Sequence, residues 1–515
     1  MSQIDNASVE SIEVDQLALA IPARRFKIKA TLAYDQSFSL VDEFVLRFLR
    51  LCGDVSTDKL REFFGFSQRE LFVTLLDLGE RGLIKTNNDV VQLGARARAA
   101  FKDLGDEEPR IVAVEETDMN IAFEQIASTP LEKTPYRKGS LTGIMDLRSE
   151  DREQAARPSE EAIQAFKLHF SEISEAYLPQ RQDLKRAYVY SVDEVTPKKP
   201  FRHELVLPVV LRTGGRPEAS IDYSKLLNSR PRGSRNRLIA RVSELIQTLE
   251  SPQSTTREGF GFISEFDAGF ITQIFSGNQP CQNGLLPWLT RVTLSEQQDY
   301  ASDTLEFVGS LSMSKAYESL ANFTSIIDSE SNEANKSVFW LKPNLPLWGR
   351  STAFRERLDR LAGIWGKSAT RVLLVPSDDV TTTRDLKRAF QGTKEMPYGF
   401  DVALKLLGDT FPDTVEFIYR PGCWVAVAVY LAVTDNAPLV PVGFFSKNLE
   451  VLRSTDKALK RRLLPLTSQA QYIWTLGLFD KLQMNELFSR MLSSVFEIDL
   501  NGNEPVDSSG SILGI

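Results

Sequence analysis

The chain has 515 residues, of which 42% are hydrophobic and 25% charged; this is the make-up of a folded globular protein and excludes a fibrous or wholly disordered one. One hydrophobic core does not serve that length, so two to four domains are expected. The formal net charge of −8 repels phosphate over the molecule as a whole, so any contact with nucleic acid must come from a local basic patch.

Residues 1–24 read as a flexible tail, with a strand over Arg25–Leu32 at the start of the first folded unit. Phe38–Leu51 follows with Leu40, Phe44, Val45, Phe48 and Leu49 at helical spacing. A break at Gly53-Asp54-Val55-Ser56 leads into a short helix, Asp58–Phe64. Ser67-Gln-Arg-Glu70 is a capping box: the serine hydroxyl meets an early backbone N–H and the glutamate reaches back. The helix it starts turns Leu71, Leu75 and Leu78 inward and stops at Gly82. A hairpin around Asn87-Asn88-Asp89 and a closing helix from Gly94 to Phe101 complete the unit. Three helices and then a hairpin is the order of a winged helix-turn-helix, and R-G-L-I-K-T-N-N-D-V-V-Q-L-G-A-R-A-R-A-A-F resembles its wing, so residues 25–103 are expected to be a winged helix.

Residues 104–330 are expected to form a first α/β lobe. Ile111–Ile126 reads as a strand then a helix, 128–160 as a polar linker, and Glu161–Ala176 as helical. Strands are expected at Lys185–Val192 and His203–Thr213 with a turn at Thr196–Pro200 between them, and a helix carrying Leu238, Val242 and Leu245 follows. From 331 to 500 strands and helices alternate, which predicts a second α/β lobe. Its strands are Ser337–Leu341, Arg371–Pro376, Val415–Tyr419, Trp424–Val433 and Val440–Phe444. Its helices are Ser351–Trp365, Thr383–Phe390, Phe400–Leu407 and a tail from Leu449 to Phe496, with 501–515 a second flexible tail.

Three cysteines (Cys52, Cys281, Cys423) stand far apart, and His169 and His203 are the only histidines. That set supports neither a disulfide framework nor a structural zinc site, and no metal or cofactor is expected. The acidic start of the chain lacks the apolar core of a signal peptide, and Trp424–Val433 is about half the length that spans a bilayer. Sparse thiols suit a reducing compartment, so a cytoplasmic protein without membrane contact is expected. Nucleotide-loop, serine-hydrolase and zinc-protease motifs are absent from the sequence.

Residues 423–448 read C-W-V-A-V-A-V-Y-L-A-V-T-D-N-A-P-L-V-P-V-G-F-F-S-K-N. An apolar strand ends at Thr434-Asp435-Asn436, and a second leads into Gly443-Phe444-Phe445-Ser446-Lys447-Asn448. This resembles the last active-site segment of the phospholipase D-like superfamily, H-x-K-x4-D followed by a G-S/T-x-N strand end. With Asp435 on the family aspartate, Ala428 stands where the histidine belongs and Tyr430 where the lysine belongs. The resemblance implies a two-lobed phospholipase D-like α/β body without the histidine nucleophile or the lysine that binds phosphate oxygens. Neither His169 nor His203 has a lysine two residues on, so no catalytic residue is assigned.

Binding residues are sought in the basic runs. Arg230, Arg232, Arg235, Arg237 and Arg241 make the densest positive stretch, S-R-P-R-G-S-R-N-R-L-I-A-R. Arg237 and Arg241, four apart on a helix, suit adjacent phosphates. Lys457, Lys460, Arg461 and Arg462 follow the degenerate strand. On the winged helix Arg69 lies on the would-be recognition helix, beside Glu70, Asp77 and Glu80, and Arg96 and Arg98 follow the wing. A winged helix ahead of a phospholipase D-like body resembles proteins of bacterial defence islands. The expectation is therefore a non-catalytic, nucleic-acid-binding subunit of an anti-phage defence or DNA-processing complex, with DNA and partner proteins as its ligands. The alternatives are a metal-dependent nuclease using Asp378, Asp379 and Glu416, and a scaffold that binds protein alone.

Overall fold

The computed structural model describes residues 11–475 except 102–109, 133–140, 142, 149–156, 182–183, 185–186, 214–216, 229–230, 250–255, 268, 271–274, 277–278, 281–284, 286, 290, 293–301, 313, 331–336, 367–368, 378, 380, 393–398, 409, 434–436 and 464–470. The chain is a mixed α/β protein. None of its described helices is long and apolar enough to cross a membrane.

Strand β1 runs from Ser11 to Ser37. The segment 11–24 is therefore part of a long central strand, not a tail; residues 1–10 lie outside the described residues. Acidic side chains at 13 and 15 mask its alternation, and a register shift between Glu13 and Asp15 breaks the period that a strand shows in sequence.

A compact helical unit follows. Ser39 caps α1 (Leu40–Cys52), which buries Val45, Leu46 and Leu49. After β2 (Val55–Ser56), α2 (Thr57–Phe64) and α3 (Gln68–Glu80) pack beneath the β3 (Ile84–Asn87) and β4 (Val90–Leu93) hairpin. Both arms of the Ser67–Glu70 capping box are formed. The hairpin turns through Asn88 and Asp89, both at positive φ, the two-residue geometry that matches strand twist. Helix α4 (Ala95–Ala100) closes the unit.

The chain then enters β5 (Arg110–Glu124), which pairs antiparallel with β1 from Ser37↔Arg110 to Ala23↔Glu124. The helical unit is thus an insertion between two neighbouring strands of one sheet. Residues 111–124 are strand throughout; the expected helix is absent.

Within 128–160 the described residues are tied down. The Glu124 carboxylate accepts from the backbone N–H of Ile126, Ala127 and Thr129, and β6 (Met145–Asp146) runs parallel to β1. Helices α5 (Pro158–Leu168) and α6 (Phe170–Tyr177) press Phe166, Phe170 and Ile173 onto Phe26, Ile28 and Ile121 of the sheet.

Strand β7 (Tyr188–Arg212) passes straight through the expected turn at 196–200. Pro197, Pro200 and Pro208 are accommodated because β8 (Glu218–Ile221) covers only residues 209–212, leaving the rest of β7 an edge with register shifts against β1. Residues 110–221 therefore join β1 in a sheet of order β5-β1-β7-β8, antiparallel along that path, and do not form an alternating α/β lobe. Helices α7 (Ser224–Leu227) and α8 (Asn236–Thr248) lie against it through Leu226, Leu238 and Val242.

The α/β body begins at 256–308, before the expected boundary. It comprises α9 (Thr256–Ile263), a short ribbon of β9 (Phe275–Ser276) and β10 (Gln279–Pro280), then β11 (Thr304–Val308) and α10 (Ser314–Glu330). Strand β12 (Ser337–Leu341), α11 (Thr352–Trp365), β13 (Thr370–Val375), α12 (Thr383–Phe390) and β14 (Val402–Lys405) make two parallel crossovers. The helix expected over 400–407 is this last strand. Strands β15 (Val415–Arg420), β16 (Trp424–Leu431) and β17 (Val440–Ser446) form an antiparallel meander.

Helix α13 (Leu449–Leu463) ends well before the expected 496, and β18 (Gln471–Thr475) returns to the sheet; 476–515 lie outside the described residues. The eight-stranded order is β11-β17-β16-β15-β12-β13-β14-β18. Helices α9 and α13 cover one face, α10 and α11 the other, so β15, β16 and β17 are buried along their whole length. Val14, Val209 and Leu211 of the first sheet join the same core, and Val14 accepts from the Ser310 N–H at 2.8 Å.

Candidate functional site

The segment expected to carry the degenerate motif is the heart of the body. Ala428 lies opposite Glu416 in the β15–β16 ladder and is fully buried among aromatic side chains. Tyr430, on the same face, donates from its hydroxyl to Glu416 Oε2 at 2.7 Å, and the Trp340 indole N–H donates to Oε1 at 2.8 Å. Burial pushes the Glu416 carboxyl up to about 7 against these two donors, and burial, with Glu416 beside it, drives the Tyr430 phenol far above its ordinary range. A methyl and a neutral phenol thus occupy these two buried positions. Both oxygens of Glu416 are occupied, so it serves as a polar tie between three strands.

The strand end Gly443–Asn448 is architectural. A Cβ at Gly443 would collide with the Val427 carbonyl oxygen, so close strand approach demands glycine. The Ser446 hydroxyl meets Thr304 Oγ1 at 2.8 Å, and Asn448 Oδ1 accepts from the Glu450 N–H to start α13. Asp435 lies outside the described residues.

Two of the three carboxylates of the nuclease alternative are described, and both are engaged by side chains of the fold. Asp379 is ion-paired with Lys342 inside the protein, and its other oxygen accepts from the Thr381 N–H at 2.8 Å. Burial alone would raise the Asp379 carboxyl, but Lys342 and Thr381 hold it below its usual range; burial pulls the Lys342 ammonium down despite that partner. Glu416 is committed to Trp340 and Tyr430, and Asp378 lies outside the described residues. Among the described residues no group of three or more His, Cys, Asp or Glu converges on a metal-sized site.

Five of the eleven described basic residues singled out from the sequence are ion-paired within the fold. Arg235 reaches Glu172 at 2.7 Å, Thr129 Oγ1 and the Pro130 carbonyl at 3.2 Å, tying the start of α8 to α6 and to the segment after β5. Arg241 pairs with Glu244 at 2.5 Å and Lys460 with Asp456 at 2.6 Å. Arg461 and Arg462 both grip Glu265 at 2.5 Å, and Arg462 also stacks 4.9 Å above Phe262. These five expected phosphate ligands therefore hold an acid within the fold: Arg241 and Lys460 find theirs on their own helix, Arg235, Arg461 and Arg462 find theirs far off in sequence. Arg96 is exposed and donates to the Arg81 carbonyl at 3.3 Å. Arg69, Arg98, Arg232, Arg237 and Lys457 are exposed, and Arg230 lies outside the described residues. His169 is buried 3.6 Å from Glu172, and burial lowers the pKa of His203 on β7.

One surface was not singled out from the sequence. Helix α3 buries Leu71 and Leu78 and turns Phe72, Val73 and Leu76 outward, each at least half exposed. Leu40, Phe44 and Leu51 of α1 and Phe63 of α2 are exposed as well. The signal was present, since a helix apolar on two faces needs two partners and the unit supplies one. Around the α3 patch stand Glu70, Asp77 and Glu80, all exposed, together with the exposed Arg69 and with Arg81, which pairs with Asp77 at 2.9 Å. No protein-family model matches the chain, and no curated protein matches it.

Proposed function

We propose that this chain is a non-catalytic assembly subunit, of the kind found in bacterial anti-phage defence or DNA-processing complexes, whose helical unit docks a partner protein. In this reading residues 38–101 are a winged helix, and the sheet over 304–475 is a single phospholipase D-like body stripped of its chemistry. The buried Ala428 and the Tyr430–Glu416 tie support the loss of activity.

The observation that carries the docking role is the outer face of α3: Phe72, Val73 and Leu76 with a rim in which three acids outnumber Arg69 and Arg81. Such a rim repels DNA phosphate, where a major-groove reader offers Arg, Lys and Asn. It would also set Asp77 and Glu80 of one copy against those of another in a twofold dimer. The occupant it fits is a different protein with an apolar centre ringed by Lys and Arg. A second reading, nucleic-acid contact, is favoured by Arg232 and Arg237, which stay exposed together near the start of α8.

A photo-crosslinking side chain at position 72 in the native host identifies the bound protein, which is then purified for titration. Phe72→Ser with Leu76→Ser is expected to weaken that complex by about a hundredfold, as loss of a central apolar anchor does, and Asp77→Lys to weaken it further at low salt. Affinity indifferent to all three changes would remove the docking role. A gel shift at ~50 mM salt, where phosphate contacts are strongest, that vanishes with Arg232→Ala/Arg237→Ala would promote the second reading over the first.

A further inference from the structure

Between the antiparallel sheet and the body lies a cavity of about 870 Å³. One wall is β1 and β8 with the end of α8. The other is the 345–351 loop at the carboxyl end of β12, with Tyr430 and the approach to β17. In open α/β sheets this end of the parallel strands is where ligands sit.

Arg350 is the group in this cavity whose chemistry is incomplete. Its side chain is largely enclosed, yet it makes a single hydrogen bond, from Nη2 to Thr381 Oγ1 at 3.0 Å, and no ion pair among the described residues. The acids nearest in effect are Asp379, already taken by Lys342, and Asp385, on α12. An enclosed guanidinium without a counter-ion is costly, and its planar N–H fork suits an anion with two in-plane oxygens.

The rest of the lining sets the ligand's other features. Asp15 faces the same space; burial pushes its carboxyl up to about 7, so it does little to neutralise the arginine at or below neutral pH. Ser310 and Tyr430 add neutral hydroxyls, and Trp348, whose indole N–H turns toward Glu416, reaches no acceptor at hydrogen-bond distance. Leu17, Ile221, Leu249, Leu345 and Leu439 make the remaining walls apolar.

We infer that this cavity binds a small organic monoanion with an apolar or aromatic body, its head forked on Arg350 and its body against the leucine walls. Two guanidinium groups, Arg350 and Arg357, share the lining with two carboxyl groups, Asp15 and Glu218, so the cavity accommodates one negative charge and disfavours two. The inference is independent of the docking role, because it uses no residue of the helical unit.

The full-length protein is titrated calorimetrically at pH 6 with four probes: 1-naphthoate, dibutyl phosphate, acetate and 1-naphthalenemethanol. Saturable binding of 1-naphthoate or dibutyl phosphate is expected, and which of the two binds more tightly identifies the head as carboxylate or phosphodiester. Acetate, lacking the body, and the alcohol, lacking the charge, are expected to bind about tenfold or more weaker. Arg350→Gln should cost the anions at least about tenfold and leave the alcohol unchanged. Ser220→Trp, which narrows the cavity without touching Arg350, should abolish binding of both anions and decides the matter if Arg350→Gln does not fold. Absence of binding by both anions, equal binding by the alcohol, or anion binding undiminished in a folded variant would overturn the inference.

Discussion

Helix α3 and strand β16 are written in similarly apolar residues, E-L-F-V-T-L-L-D-L against W-V-A-V-A-V-Y-L, and meet opposite fates. The strand is buried at all eight positions between two helical layers; the helix buries only Leu71 and Leu78 and shows its other apolar side to solvent. Hydrophobicity along the chain therefore reports a demand for cover, and the layers supplied decide whether it is met inside the molecule. The body covers its own apolar strands, and Glu416 and the Lys342–Asp379 pair find their partners inside it too. The helical unit leaves its demand open. Substitutions should accordingly cost the body much and the helical unit little.

The largest effect is expected at the ion pair. Lys342→Met leaves Asp379 enclosed without its counter-charge and should cost about 3–5 kcal/mol, whereas Lys342→Met with Asp379→Leu should recover most of that loss. Urea unfolding of the two variants measures both; a single variant as stable as the double would mean the carboxylate reaches water. Gly443→Ala comes next. Its Cβ meets backbone on the neighbouring strand, which cannot rotate away as a side chain would, so a loss of about 1–3 kcal/mol or more is expected. Unchanged thermal unfolding would show that β16 and β17 can separate locally.

A subtler test uses protons. The Glu416 carboxyl, ordinarily near 4.5, is raised to about 7 in the folded protein. Unfolded chain thus releases its proton near 4.5 while folded chain keeps it, so this contribution to stability is complete at low pH. It is lost as pH rises toward 7, at up to about 1.4 kcal/mol per pH unit. Glu416→Gln keeps an acceptor for Trp340 and a polar partner for Tyr430 but holds no titrating proton. Between pH 5 and 8 its urea midpoint should fall less than that of the parent chain, Asp15 retaining its own share of the slope. Equal slopes in the two proteins would show that the carboxyl titrates as it does in water.

Local chemistry was readable in the sequence, and long-range pairing was not. The strand at 337–341, the helix at 383–390 and the capping box at Ser67 match residue for residue, because each is fixed by neighbours a few positions away. The first half of β1, the passage of β7 through Pro197 and Pro200, and β14 were misread. Bulges or short length erase their period, and pairing to remote strands supplies the stability instead. The candidate sites follow the same division. Ala428 and Tyr430 were legible from a motif, but Arg350 has no motif around it, and its role depends on Asp15 and Tyr430 arriving from opposite ends of the chain. Arg235, Arg461 and Arg462 were misjudged because counting charge along a sequence does not reveal Glu172 or Glu265 across a fold.

The smallest expected effect tests the helical unit. Phe72 is 65% exposed and Leu76 50% exposed, so replacing both with serine removes little area that folding buries. Exposed substitutions of this kind stay within about 0.5 kcal/mol, and one serine in place of each large apolar group should also lower the tendency to self-associate. Thermal unfolding of the double variant should therefore coincide with that of the parent chain. A loss comparable to that at Gly443 would mean that these side chains already have a partner within the molecule, and the contrast between α3 and β16 would disappear. Coincident unfolding together with loss of the crosslinked protein would separate the two roles, folding from Leu71 and Leu78 on the inner face, association from Phe72 and Leu76 on the outer.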